Sequence, residues 1–277
     1  MTLSVFLVVL FAAALHATWN ALVKGGEDKL LSTTLICGVS TILAALILPF
    51  VPAPAPASWP FIAASTACQV IYFSMVAATY RVADMSEAYP IMRGTAPLLV
   101  TIVSVAVLRE PLPPLAWLGV LVISMGILGI GLSRGVKPSR GVALALLNAV
   151  VIASYTLIDG TGVRHAGSPA GYLLWIFLLT GLPLVGWSAA TRWPALVSYA
   201  RKNWRSGVIG GVGTSASYGL ALWAMTLAPV AVVASLRETS ILFGVVISGL
   251  ILKERVSPAR IVAACVIAGG AMILRVA

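Results

Sequence analysis

A chain of 277 residues that is 60% hydrophobic and 9% charged is not a soluble domain, where about 25% of residues carry charge; it is a membrane protein whose first partner is the lipid bilayer. Its net charge of +10 does not point to nucleic acid, because most basic residues sit in short gaps between apolar runs rather than beside aromatics, and so read as topology signals. Three cysteines, Cys37, Cys68 and Cys265, fall inside apolar runs and imply neither a disulfide framework nor a metal site, and no cofactor is expected.

Ten apolar runs follow in order: Leu3–Leu22, Leu31–Phe50, Trp59–Tyr80, Ala88–Leu108, Leu115–Leu132, Gly141–Ile158, Ala170–Ala190, Ser206–Leu227, Val230–Leu252 and Pro258–Val276. At about 1.5 Å per residue each is about long enough to cross a hydrocarbon core of roughly 30 Å, and each is read as a helix because an open sheet edge cannot satisfy its backbone in lipid. The first run has no basic stretch before it and no small-residue cleavage pattern after it, so it is taken as a span and not a removable signal. The connections are short, rich in Pro, Gly and charge, and leave no room for a soluble domain.

The chain repeats itself. At a constant offset of 144, Arg93 matches Arg237, Thr95 matches Thr239, Leu98 matches Leu242 and Ser104 matches Ser248. The match extends from Leu108-Arg109-Glu110 to Leu252-Lys253-Glu254, from Pro114 to Pro258 and from Gly126 to Gly270. Earlier in each half the offset is 136, with Ala17-Thr18-Trp19 aligned to Ala153-Ser154-Tyr155, so about eight residues are inserted, in the long connection from Thr191 to Arg205. The break between Arg134 and Arg140 leaves five runs on each side, in units of residues 1–134 and 139–277. Five is odd, so the second unit enters the membrane from the opposite side. The expected fold is an all-α membrane protein of ten transmembrane helices, built as two inverted five-helix repeats.

Arg237 and Glu238 are the only charges between Val230 and Leu252, and Arg93 is similarly placed in the fourth run. A guanidinium stays protonated and costs roughly 2.5–3.5 kcal/mol at a helix centre on insertion scales. Either a bound carboxylate or other oxyanion offsets that cost, or a structural ion pair or helix cap does. Pro90, Gly94 and Pro97 are expected to bend or open the fourth helix around Arg93. On a helix Glu238 points about 100° away from Arg237, where it can receive an ammonium group, carry a coupling proton, or pair with an arginine of another helix. Tyr89 stands one turn before Arg93, and Ser240 nearly one turn after Arg237, each on its arginine's face.

Two halves of five spans, fourth and ninth spans ending in Leu-Arg/Lys-Glu with a proline after them, and glycine-bearing fifth and tenth spans resemble the EamA-type members of the drug/metabolite transporter superfamily over nearly the whole chain. The resemblance implies solute transport without ATP by a multi-pass protein of the bacterial inner membrane. It also implies a central cavity lined mainly by the first, third, fourth, sixth, eighth and ninth spans, with the fifth and tenth as scaffold. Trp19 and Tyr155, related by the repeat, then read as cavity walls. His16 and Asn20 complete a polar patch with Trp19 that Ser154, Tyr155 and Thr156 echo, and such patches also serve to hold helices together, as does Asn148. Tyr72 and Tyr218 correspond at offset 146, with Trp223 five residues on; an aromatic wall suits an amine or a ring, while tryptophans at span ends are more often interfacial.

Enzyme readings find little. His16 and His165 are the only histidines, and there is no His-Glu-x-x-His, no Gly-x-Ser-x-Gly, no pair of intramembrane aspartates and no nucleotide-binding motif. The expected small-molecule cargo is amino-acid-like or another organic anion or zwitterion, gripped by Arg93 and Arg237 in alternating access. The alternatives are an amine or organic cation held by Glu238 and the aromatic wall, a lipid flippase, or a channel. Glu238, with His16 behind it, is read as the titratable group well inside the spans, and if transport is coupled to protons Glu238 is expected to carry the proton; Glu87 and Asp159 are read as lying at span ends where water reaches them. Thirteen Lys and Arg lie in the odd-numbered connections against three in the others and the C-terminal end, which puts both termini outside the cytoplasm, whereas the family resemblance implies the reverse.

Overall fold

The computed structural model describes residues 1–132, 138–251, 253 and 257–277. Helices α1 (Leu3–Gly25), α2 (Lys29–Ile47), α3 (Trp59–Thr79), α4 (Met85–Ala106), α5 (Pro114–Leu132) and α6 (Arg140–His165) each make one crossing. Side chains start several of them: Thr2 accepts from Val5 N, Asp28 from Leu31 N, and Ser139 from Val142 N, satisfying amides that the first turn leaves unpaired.

The next element, α7 (Pro169–Met225), runs for 57 residues. A straight helix of that length would be about 85 Å long, nearly three hydrocarbon cores. Its backbone leaves helical geometry at Arg192 and Asn203, and the contacts with α2 show a reversal there. Along the first limb Gly171 lies beside Pro52, Gly181 beside Thr41 and Val185 beside Gly38; along the second, Gly207 meets Leu35 and Gly211 meets Val39. Residue numbers on α2 and the segment just after it fall along one limb and rise along the other, so α7 is a hairpin that supplies the seventh and eighth crossings. The connection expected from Thr191 to Arg205 is therefore helical apart from two residues. Exposed Trp187, Trp193 and Trp204 gather at this reversal, where amphipathic indoles suit an interface.

The ninth run is not one helix. It divides into α8 (Val230–Arg237) and α9 (Ser240–Val246), followed by a π turn over Ile247–Ile251. At the break, Glu238 N donates to Ser235 O at 3.1 Å and Thr239 N to Leu236 O at 3.0 Å, a tight turn reaching three residues back instead of four. Around Arg93, helix α4 runs unbroken through Pro90 and Pro97 and does not open. There α4 packs closely on α5, and a Cβ on Gly94 would meet Leu128 at 2.7 Å.

The packing repeats between the halves. The second limb of α7 lies on α1, with Ser217 Oγ donating to Ala12 O at 2.7 Å, as α3 lies on α6. Helix α1 meets α8 and α9 as α6 meets α4, and α5 pairs with α10 (Pro258–Val276). Arg109 and Lys253, 144 residues apart, both take left-handed backbone (φ 54° and 52°), which non-glycine residues rarely adopt. The α5–α10 contact is backbone-close: a Cβ on Gly270 would stand 2.7 Å from Ile123 and 3.0 Å from the Gly119 carbonyl oxygen. The boundary at Arg134 and the Leu252 and Glu254 positions of the repeat lie outside the described residues.

The apolar core is concentrated at one end of the bundle. Val9 of α1, Ile62 of α3, Val163 of α6, Ile176 and Leu222 of α7 and Val233 of α8 interlock there at 0–2% exposure. That end is sealed.

Candidate functional site

Toward the other end, where α1 finishes and α2 begins, lies a cavity of about 150 Å³. Arg93, Arg237, Tyr89, Tyr155, Tyr72 and Tyr218 line it, together with His16, Trp19 and Asn20. All six of the spans implied by the family resemblance contribute. So do α2, through Cys37 and Ser40, and the first limb of α7, through Phe177 and Thr180. Three expected residues lie outside. Glu238 sits behind Arg93, in a niche of about 10 Å³ between α4, α6 and α8. Ser240 is buried away from the cavity, because sharing a face with Arg237 requires the continuous helix that breaks at Glu238. Trp223 is 39% exposed on the outer surface, and five residues of helix turn it about 140° from Tyr218.

The two arginines, equivalent in the repeat, have unlike surroundings. Arg93 is buried, and its Nε stands 2.9 Å from Glu238 Oε2 in an ion pair whose N–H is not aimed for a hydrogen bond. Its Nη2 is 3.4 Å from His16 Nε2, and Trp19 Nε1 approaches His16 Nδ1 at 3.3 Å. Guanidinium and indole N–H groups only donate, so both ring nitrogens of His16 face donors. Arg237 is partly buried with its guanidinium 5.0 Å from the Tyr218 ring centroid, and no carboxylate stands within ion-pair distance of it among the described residues.

Beneath Tyr218 lies a residue that sequence reasoning placed wrongly. Asp159, expected in water at a span end, is fully buried and accepts hydrogen bonds from Tyr172 Oη at 3.0 Å and from Tyr218 Oη. Ser65 of α3, which accepts from Gln69 Nε2 at 3.1 Å, lies nearby. The apolar run stops at Ile158, but α6 continues to His165, and Val230 and Tyr172 close over Gly160 and Gly162. The Asp-Gly-Thr-Gly sequence looked like a span end, and nothing in it reveals the two tyrosines that cover it.

A second polar cluster lies at the sealed end. Arg164 pairs with Glu110 and also donates to Met225 O at 2.8 Å and Ala228 O at 3.0 Å, while Glu110 accepts from Ser104 and from Val230 N. Partial burial works against the Glu110 charge, but the Ser104 hydroxyl and Arg164 hold its carboxyl below the usual range. The cluster ties α6 to the segment after α4 and to the junction of α7 and α8. At the cavity end, Asp28 caps α2 and pairs with Arg192 across the α7 reversal; the Leu31 amide lowers its carboxyl first, with Arg192 adding to the effect.

Ten apolar crossings among the described residues, packed around a cavity that carries two arginines, make a multi-pass membrane protein. Residues 139–276 match the EamA-like transporter family, and the chain belongs to that family within the drug/metabolite transporter superfamily. It is a membrane transporter. No curated protein matches it. A solved structure described only as "Crystal structure of protein" superposes with a TM-score of 0.74 at 19% identity, covering 98% of each chain, and shows the same fold.

Proposed function

We propose that the chain is a secondary transporter for a small, amino-acid-like metabolite bearing a carboxylate or similar oxyanion, working by alternating access in a bacterial inner membrane. One observation carries this reading: Arg237 presents a guanidinium to the cavity with no carboxylate partner among the described residues. With the Tyr218 ring under one face, its N–H edge is free to hold an oxyanion in bidentate fashion. Arg93, matched by Glu238, ties α4 to α8 and tunes the cavity rather than providing the main grip. The edge-to-face pair Tyr72–Tyr155, at 5.8 Å between centroids, offers a surface for the ammonium of a zwitterion. A cavity of about 150 Å³ is smaller than the roughly 300–1,000 Å³ of drug-sized pockets, which favours a small cargo over a lipid. A seal at one end and a cavity toward the other support a carrier over a channel. By the lysine and arginine count, the cavity end faces the cytoplasm.

The aromatic wall favours a second reading, an amine or organic cation. A thermal-shift screen of the purified protein against amino acids, simple carboxylates, phosphonates, nucleosides and quaternary amines separates the two, since a ligand bound to the native state raises its stability. Stabilisation by carboxylates that disappears in Arg237→Ala is expected. Stabilisation by quaternary amines alone, undiminished in Arg237→Ala, would overturn the proposal in favour of the second reading.

A further inference from the structure

Asp159 is a fully buried carboxyl group inside a membrane span, and its surroundings are complete on every side. Tyr172 and Tyr218 donate to it from the two limbs of α7, and Ser65 of α3 lies nearby. Cys68 of α3 and Tyr155 of its own helix are the other titratable groups near it, and Arg237 of α8 acts on it across the Tyr218 ring. No cation stands within ion-pair distance of it among the described residues. A neutral amide could accept the same hydroxyl bonds without the cost of a buried charge, so an ionisable group here points to a role that uses ionisation. The other candidates are engaged elsewhere. Glu238 faces the permanently charged Arg93 at 2.9 Å, and His16 stands between two donors.

We propose that Asp159 is the proton-binding site of this transporter, coupled to the cargo site through Tyr218 and Arg237. The coupling rests on the anion reading of Arg237; the proton site itself does not. Tyr218 joins the two, with its hydroxyl on the Asp159 carboxylate and its ring against the Arg237 guanidinium. The positive charge of Arg237 supports the ionised form of Asp159. A carboxylate seated on Arg237 cancels that charge, and the second anion nearby then favours a proton on Asp159. Linkage makes the effect reciprocal: protonation of Asp159 tightens carboxylate binding by the same factor. Proton and organic anion are thus taken up together, and the pair adds no net charge to the cavity. The proton on Asp159 comes from water at the cavity end and is released when the carboxylate leaves.

Infrared difference spectroscopy on the purified full-length protein, with acetate as the carboxylate probe, tests this. In the wild type a protonated-carboxyl C=O band should grow as pH falls and grow again on adding acetate at fixed pH. Asp159→Asn should lack both changes, and Glu238→Gln should keep both. A band that persists with its acetate response in Asp159→Asn would overturn the proposal. Tyr218→Phe keeps the ring but removes a donor to the carboxylate, so its band should appear at higher pH; this variant serves even if Asp159→Asn fails to fold, and an unshifted band in it would also overturn the proposal. A wild-type band removed by Asp159→Asn but indifferent to acetate would refute the anion reading of Arg237 while supporting the proton site.

Discussion

Replacing Arg164 by alanine should loosen the sealed end of the bundle. Arg164 holds the Glu110 carboxylate and the carbonyl oxygens of Met225 and Ala228, three charge-assisted contacts between segments that must separate if that end opens. Hydrogen bonds to charged groups are worth about 1.5–3 kcal/mol each. The Arg164 side chain is 33% exposed, so water replaces part of what is lost, and we take about 2–3 kcal/mol for the set. At about 1.4 kcal/mol per factor of ten, the opening equilibrium shifts by roughly 30–150-fold. The assay places a single cysteine at Val163, 2% exposed in the seal, in a background with Cys37, Cys68 and Cys265 changed to serine. A membrane-impermeant maleimide applied from that side should label it faster by about that factor in Arg164→Ala. Equal labelling rates with and without Arg164 would refute the reasoning. The pH dependence follows from Glu110, whose carboxyl is held below the usual range. A depressed folded-state value means that the lock is fully present above the ordinary glutamate range, near pH 4.3, and is lost only as pH falls through the lower folded value. Labelling of the parent should therefore stay slow at neutral pH and rise only in stronger acid.

Arg93→Ala should lower stability by about 3–5 kcal/mol, because it leaves Glu238 charged and buried without its partner, and the double variant Arg93→Met with Glu238→Leu should recover most of the loss in a thermal melt. Cys37 lies in the cavity wall, so alkylation of a variant that retains only this cysteine should block transport, and bound cargo should slow the reaction; alkylation that leaves transport untouched would remove α2 from the pathway. A C-terminal reporter active only outside the cytoplasm should be active, given thirteen basic residues in the odd-numbered connections against three elsewhere outside the spans, and activity of a cytoplasmic reporter instead would reverse the orientation.

The number of crossings and the existence of a repeat were legible in the sequence because lipid imposes local rules. Backbone amides that face lipid must be satisfied within their own segment, so an apolar run of sufficient length is helical over most of its length, with a break such as that at Glu238 tolerated where protein surrounds it. Arg93 and Arg237 could be paired from their offset for the same reason, since both are rare where they stand. What each arginine touches was not legible. The repeat makes them equivalent, yet Glu238 neutralises one and leaves the other open, because Glu238 aligns with Gly94 and the break after Arg237 turns it toward α4. The helical reversal between Arg192 and Asn203 escaped notice because charged and proline-containing sequence reads as loop until Asp28 and Glu27 supply partners for Arg192 and Lys202. Asp159 marks the limit most clearly. Its burial depends on Tyr172 and Tyr218 from two distant crossings, and no periodicity within α6 encodes their approach. Hydropathy fixes which segments enter the bilayer, a one-residue-at-a-time property. Which polar groups meet inside it is decided by contacts between segments, and only the packed bundle contains those.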